Sequence, residues 1–575
     1  MRHWWPYALI SLLFLVLASP LIPLATEHLR VVETFNVDEG EFLWSLHMCM
    51  ERGDFAIDRT EYGLLYYNIG LFVAKCFGWF TAVDDTLLIW IFRALSAFFV
   101  LLTAVVCARM VSLFQDGFAP PIAFGLCLLC SVVVLNYGTM LHPDTAQVFF
   151  ISISLWMSMR CAIEERKTFL IFAAVAAGWA FSTKYAGIAL VPLFSVLAWR
   201  LSRKVNTGIT ARRVEALWVI LMAIPVYFIF DADRLYVSMG SPAQKEHELF
   251  LLFRGLHWGA VIAVISAVSA LIWYRVWQGK WLRFVGLHLM VLWSFLIGFF
   301  SGSPQFIHSR GFVEGFLYVT DLHRGGHWFA EAAGGWTWLQ VFAGDSLLQK
   351  GVSVAILLLS LLSMRIFFYR QSSVLLWARM IPYAWTIIFL FTLLSRVSSK
   401  FPHYLLPLWP ALVVMSVWGI FVILRQHRLT ALLLSLILLS AGLVHQISFV
   451  QQRYNDFSNS KAIKAGRWLE TNIERPVVVL SDKYAYVPAL EGLTYISTFQ
   501  LTPALIDDVK PDVLVITEKL WSRFLKKGVS GLLKGEELYQ SRQEMYLQLL
   551  ENKYPSYQLE ADFGEVKVFK RQRIQ

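Results

Sequence analysis

The sequence predicts an all-α polytopic membrane protein with about thirteen transmembrane helices and a small C-terminal α/β domain. Three observations predict it. Of the 575 residues, 57% are hydrophobic and only 16% are charged, too few charges for a soluble domain of this length. Apolar runs long enough to cross a bilayer recur through residues 1–450, while aromatic residues make up 15% of the chain, as interfacial belts require. Beyond residue 450 short β-type runs begin to alternate with helical ones.

The expected spans lie at 6–25, 87–108, 120–140, 145–163, 168–183, 185–200, 214–230, 256–274, 284–301, 351–369, 378–395, 403–424 and 428–447. The opening "MRHWWPYALISLLFLVLASPLIPLA" reads as the first of them rather than as a cleaved leader. The net charge of +10 comes mostly from short Lys/Arg clusters between apolar runs, so it marks topology and not a nucleic-acid surface. "RLSRKVNTGITARR" at 200–213 is the densest cluster and is set inside. Counting from it, the basic stretches near 160–167, 275–283, 365–379 and 425–428 also fall inside. Segment 26–86 then falls outside, provided the interrupted run 63–80 lies along the membrane without crossing it. Its eleven acidic residues against four basic ones agree with that side. Cys127 and Cys130 form a CxxC within an apolar helix, the setting of buried thiols rather than of a metal or redox site.

After residue 450, "KAIKAGRWLETNI" reads as an amphipathic helix. "RPVVVLSD", "KPDVLVITE" and "GEVKVFK" read as strands, giving an α/β domain over 451–575 on the outer face. The membrane domain is 1–450, with an acidic first outer loop (26–86) and a large outer loop (302–350).

Several polar groups converge on the outer side. "VDEG" brings Asp38 and Glu39, "HPDTAQ" brings His142 and Asp144, and "FSTKYAG" brings Lys184. The large loop brings His308, Arg310, His323, Arg324 and His327. Carboxylates from two loops with cations around them suit chemistry with a phosphate leaving group. An acid takes the attacking group's proton, and cations hold the departing phosphate. The plainer readings stand beside this one: a solvated loop for Asp38 and Glu39, a helix cap for Asp144, and a snorkelling anchor for Lys184. "HRGGH" lacks a third ligand at clear spacing, so no metal site is assigned and a divalent cation is left open.

The order "VDEG", "LLYY", "FRALSAF", "HPDTAQVFF", "STKYAGIALVPL", "SP…GFLY…HRGGH" and "HYLLPLWPAL" resembles the GT-C glycosyltransferases. Within them it resembles the bacterial relatives of protein O-mannosyltransferases and the lipid A aminoarabinose transferase. The resemblance covers roughly the first 450 residues. It implies a polyprenyl-phosphate-linked sugar as donor and transfer with inversion to a lipid, glycan or protein acceptor. The implied place is the periplasmic face of a bacterial inner membrane, with membrane lipids and no nucleic acid as partners. Carried over, Asp38 is the principal catalytic carboxylate, Glu39 stands beside it, and Asp144 is the second-loop acid. Lys184 contacts the lipid phosphate, with Arg59, His323, Arg324 and His327 as further phosphate contacts. His142, Tyr66 and His403 are acceptor or loop contacts. Two features depart from the pattern: "RTEYGLLYY" lacks the Pro-Pro that often precedes the juxtamembrane run, and His403 stands where the family usually has Arg. The rival classes are a lipid-linked glycan transporter, which calls for internal repeats and charges within spans, and a polysaccharide ligase or polymerase, which calls for an arginine-rich outer loop.

Overall fold

The computed structural model describes residues 4–57, 59, 61–204, 280–307, 315, 337–344, 346–368, 372–391, 397, 400–423, 427–499, 501–525 and 536–572. The expected spans at 214–230 and 256–274, most of the basic stretch 200–213 and most of the large loop lie outside these residues.

The chain opens with helix α1 (Trp5–Ala18), followed by the short α2 (Leu29–Phe35) and α3 (Val37–Arg52). Next come α4 (Leu65–Gly78), α5 (Asp85–Ser112), α6 (Ala119–Leu129), α7 (Val132–Gly138), α8 (Asp144–Glu164) and α9 (Lys167–Thr183). Among the described residues, five helices are long and apolar enough to cross a membrane: Asp85–Ser112, Asp144–Glu164, Leu347–Phe367, Pro402–Phe421 and Leu429–Asn472. The pair α6 and α7, bent by 69°, makes a sixth if it is one broken span. Shorter apolar helices lie at Trp5–Ala18, Lys167–Thr183, Tyr185–Ala198, Gly286–Gly302 and Ser373–Phe389. All of these overlap expected spans, although Leu429–Asn472 runs 25 residues beyond the expected end at 447, through the stretch expected as an amphipathic helix. The run 63–80 forms the 14-residue α4, about 21 Å long and short of a bilayer's hydrocarbon thickness.

Small residues let these helices meet at the backbone. Helix α9 crosses Lys280–Gly302 where Gly178 and Gly298 face each other. A Cβ on Gly178 would collide with the Phe295 carbonyl oxygen, and one on Gly298 with that of Val175. With no water to expel, helices in lipid gain association energy from this kind of close backbone packing.

The C-terminal domain holds a five-stranded sheet in the order β2-β1-β3-β5-β4. Its strands are β1 (Val477–Asp482), β2 (Leu493–Thr498), β3 (Val513–Thr517), β4 (Tyr557–Asp562) and β5 (Val566–Arg571). β1 runs parallel to β2 and to β3, whereas β5 pairs antiparallel with β3 and β4. β1, β3 and β5 are the three strands expected from sequence, and both their faces are covered. Val477, Val479, Val513, Val515, Val566 and Val568 pack on Ala465 and Leu469 of Lys461–Asn472. Leu480, Leu514, Ile516 and Phe569 pack on the helices Glu518–Leu525 and Glu536–Leu550. Strands buried on both sides read as continuous apolar runs, as β1 and β3 do, whereas β5 shows by its alternation of Val566, Lys567 and Val568. The edge strands β2 and β4 are mixed in polarity and were not.

One buried acid makes this domain sensitive to pH. Asp482 ends β1 fully buried, and it accepts hydrogen bonds from the Thr517 amide (2.5 Å), the Thr517 hydroxyl (2.8 Å) and the Tyr484 amide (3.0 Å). Burial outweighs those bonds and pushes its carboxyl up to about 7. The folded state therefore holds a proton that the unfolded chain has lost between roughly pH 4 and 7. Stability falls as pH rises through that window, by at most about 4 kcal/mol, and stays low above it. Calorimetry of the full-length protein should show the domain melting lower at pH 8 than at pH 5, with the difference reduced in Asp482→Asn. A transition independent of pH would contradict this account.

The domain docks on the first loop. Arg30 of α2 donates to the carbonyls of Val487 (3.1 Å) and Pro488 (2.7 Å), and its guanidinium lies 4.5 Å from the Tyr495 ring centroid. Lys483 sits 3.7 Å from Glu33. The acidic loop and the α/β domain thus share one side of the molecule.

Candidate functional site

Helix α3 begins where Asn36 adopts an extended conformation and its side chain accepts from the Glu39 amide (3.4 Å). It ends at Gly53, whose φ of 74° suits glycine. The first turn carries Asp38 and Glu39, where carboxylates are favoured by the helix dipole. Adjacent residues on a helix point about 100° apart, so the two acids part company. Asp38 is exposed, whereas Glu39 is 2% exposed.

Glu39 is expected from sequence as a catalytic neighbour of Asp38, but its oxygens are committed elsewhere. Arg93 of α5 grips it in a fork, Nε to Oε1 at 3.0 Å and Nη2 to Oε2 at 2.8 Å. The Leu141 amide adds a third bond to Oε1 at 2.6 Å. Arg93 Nη1 also donates to the carbonyls of Ile22 (2.9 Å) and Leu24 (2.8 Å). A single buried pair therefore ties the segment after α1, the start of α3, α5 and the loop before α8. The sequence reading did not single out Arg93, although an arginine inside an apolar helix is a signal for a paired functional or structural site.

The loop so held delivers His142 and Asp144. Asp144, at the start of α8, is 2% exposed; its Oδ1 accepts from Lys184 Nζ at 2.7 Å. His142 Nδ1 lies 3.1 Å from Asp144 Oδ2, but neither atom makes an aligned hydrogen bond among the described residues. Lys184 sits where α9 breaks: its φ of −155° and ψ of 134° are extended, and Gln147 Nε2 donates to its carbonyl at 2.7 Å. Its ammonium lies 5.2 Å from the Tyr62 ring centroid and 5.3 Å from that of Tyr404. His403 Nδ1 meets the Tyr137 hydroxyl at 2.8 Å, and its ring stands 5.6 Å from that of His142. The Tyr62 hydroxyl, held above its ordinary range first by burial, is raised further by Asp38, Tyr404, Asp144 and Tyr137. Asp144, Lys184, His142 and His403 thus form one cluster lined by Tyr62, Tyr137 and Tyr404, and Asp38 stands near enough for its charge to act on the Tyr62 hydroxyl. These three tyrosines escaped the sequence reading, because aromatics are too common in this chain to single out.

The other expected contacts divide. Arg59 Nη1 pairs with Glu41 (2.7 Å) and Glu61 (3.3 Å) beside Asp38. Burial raises the Glu41 carboxyl, Arg59 and Lys483 oppose that rise, and the Asp38 charge adds to it. Tyr66, expected as an acceptor or loop contact, is instead a core residue. It is fully buried, with its hydroxyl bonded to the Phe92 carbonyl (3.0 Å) and Ser96 (2.8 Å). His323, Arg324 and His327 lie outside the described residues. Among the described residues no group of three His, Cys, Asp or Glu side chains is arranged to hold a metal ion. A cavity of about 660 Å³ opens in the C-terminal domain beside Lys510, Tyr557 and Arg571, at the amino end of β3 and away from this cluster.

Residues 76–230 match the family model of dolichyl-phosphate-mannose-protein mannosyltransferase, a stretch that contains Asp144 and Lys184 and begins after Asp38. The fold is similar to that of the Archaeoglobus fulgidus oligosaccharyltransferase in its apo form, at 14% identity over 94% of this chain and 72% of that one, with a TM-score of 0.50. The same enzyme in complex with Zn and sulfate gives 13% identity, 94% and 71% coverage, and 0.50. ArnT from Cupriavidus metallidurans, bound to undecaprenyl phosphate, gives 14% identity, 99% and 98% coverage, and 0.48. No curated protein matches the sequence. Residues 76–230 are thus similar to that mannosyltransferase family, and the fold is similar to that of the oligosaccharyltransferase.

Proposed function

We propose that the protein is an integral-membrane glycosyltransferase. It moves a sugar from a polyprenyl-phosphate donor to an acceptor on the periplasmic face, with inversion at the anomeric carbon. The observation that carries this reading is a buried Asp144–Lys184 pair beside Tyr62, whose hydroxyl also feels the charge of the exposed carboxylate Asp38.

Asp38 orients the acceptor's hydroxyl or amine and takes its proton as the nucleophile forms a bond to the anomeric carbon. The bond from that carbon to the phosphate oxygen breaks, and the electron pair leaves with the polyprenyl phosphate. Lys184 is placed to neutralise the growing charge. An ammonium has three donors; Asp144 takes one and fixes the direction of the rest. Asp144 is thus a positioning residue for Lys184, and Glu39 braces the loop that carries it.

Lys184→Ala should raise the KM for the lipid-linked sugar by about 10- to 100-fold. The assay is release of polyprenyl phosphate by purified protein in detergent. Thermal stability must be followed in parallel, because the variant leaves Asp144 buried without its cation. Unchanged donor kinetics would move the phosphate site elsewhere.

A further inference from the structure

The carboxyl ends of β1 and β3 carry Asp482-Lys483-Tyr484 and Thr517-Glu518-Lys519, and the helix that follows β3 adds Arg523. The strand order gives this place meaning. From β1 the chain passes to β2 on one side, then returns across β1 to β3 on the other. Connections that diverge in this way leave a crevice beyond the carboxyl ends of the two strands, and open α/β sheets bind ligands there. In this molecule the Thr517 amide and hydroxyl bond to Asp482 and tie the two ends together.

The carboxyl end of β1 faces the segment that leads into α3, since Lys483 sits 3.7 Å from Glu33, and Asp38 stands in the first turn of α3. The Asp38 charge acts on the Tyr484 hydroxyl, which burial raises first, Arg523 lowers, and Asp38 and Asp482 raise. Asp38 and the Lys519 side chain are both exposed. Cations gather on the domain's side. Arg523 donates to the Tyr484 hydroxyl at 2.6 Å and stacks 4.9 Å from the ring centroid, while Lys519 lies 5.3 Å from the same centroid. Lost hydration, then Arg453 and Arg523, lower the Lys519 ammonium, with Glu565 and Asp482 acting the other way. Like charges crowded round one ring are relieved by a shared anion.

We infer that this crevice, with Lys519 and Arg523 as its cations and Tyr484 as its floor, anchors an anionic group of the acceptor. The anchored group is remote from the hydroxyl or amine that Asp38 activates. This rests on the proposed transferase reading and adds to it the charge class of the acceptor and the role of the α/β domain. Lys483, held near Glu33, sets the domain against the loop that bears Asp38.

The test uses inorganic phosphate as the probe and the full-length protein in detergent, with binding read by phosphorus NMR line broadening and without any turnover. Wild type should bind saturably at millimolar concentration. Lys519→Glu should weaken binding by about tenfold or more, because it reverses a charge that contacts the anion. The domain's melting transition should be kept, since Lys519 is exposed. Lys184→Ala should keep the binding that Lys519→Glu removes, even if a separate phosphate site at the donor position is lost. No saturable binding, binding untouched by Lys519→Glu, or binding lost equally in Lys184→Ala would each overturn the inference. The last result would assign the anion to the donor site. Because donor kinetics test Lys184 separately, failure here leaves the transferase reading standing.

Discussion

Asp38→Asn is expected to lower sugar transfer by about 10²- to 10⁴-fold, the range for removal of a general base or orienting carboxylate. The substitution keeps the size and the hydrogen-bonding shape of the side chain and removes its charge. Asp38 is exposed at the first turn of α3, so no buried partner is orphaned, and the helix loses only a few tenths of a kcal/mol of dipole interaction. The protein should therefore reach the membrane and melt as wild type does. Release of polyprenyl phosphate from the lipid-linked sugar is the measurement. Near wild-type release from correctly folded Asp38→Asn protein would reduce this turn to a solvated loop.

Glu39→Gln is expected to fail in a different way. A neutral amide cannot pair with the Arg93 guanidinium, and Arg93 is buried among the carbonyls of the segment after α1. Breaking one side of a buried ion pair costs about 3–5 kcal/mol, a large fraction of the stability of an ordinary domain. The loss should appear as lower membrane yield and a lower melting temperature, with Arg93→Met behaving alike. The double variant Glu39→Leu/Arg93→Met should lose less than the two single losses added together, because it leaves no unpaired charge. If Glu39→Gln instead melts as wild type but loses transfer, Glu39 belongs to the chemistry and the brace assignment is wrong. Adjacent acids thus separate cleanly, one read by rate and the other by stability.

The protein's class could be read without coordinates. Composition and apolar run length depend on the residues alone, and a bilayer demands about twenty apolar residues per helix whatever surrounds them. The strands β1 and β3 were legible for a similar reason, since Val477–Leu480 and Val513–Ile516 are apolar on successive residues, and β5 shows as the β-branched alternation Val566-Lys567-Val568. Asp38, Asp144 and Lys184 stood out as charges at the edges of apolar runs; the structure pairs Asp144 with Lys184 beside Tyr62, whose hydroxyl also feels the Asp38 charge.

What local sequence leaves open is which partner each charge meets. Asp38 and Glu39 are neighbours of like chemistry; only the helical turn and the position of Arg93, 54 residues away, send one to solvent and the other into a buried fork. Tyr66 and Tyr62 are both aromatic residues of the same loop region, yet packing buries the first against Phe92 and leaves the second beside Lys184. The meeting of Arg30 with Val487 and Pro488 joins segments more than 450 residues apart. A long-range contact is chosen by the free energy of the whole packed arrangement, because ion pairing and burial act through space rather than along the chain. Sequence therefore named the kind of protein and its ionisable groups, and tertiary structure decided which of them are braces and which face the substrate.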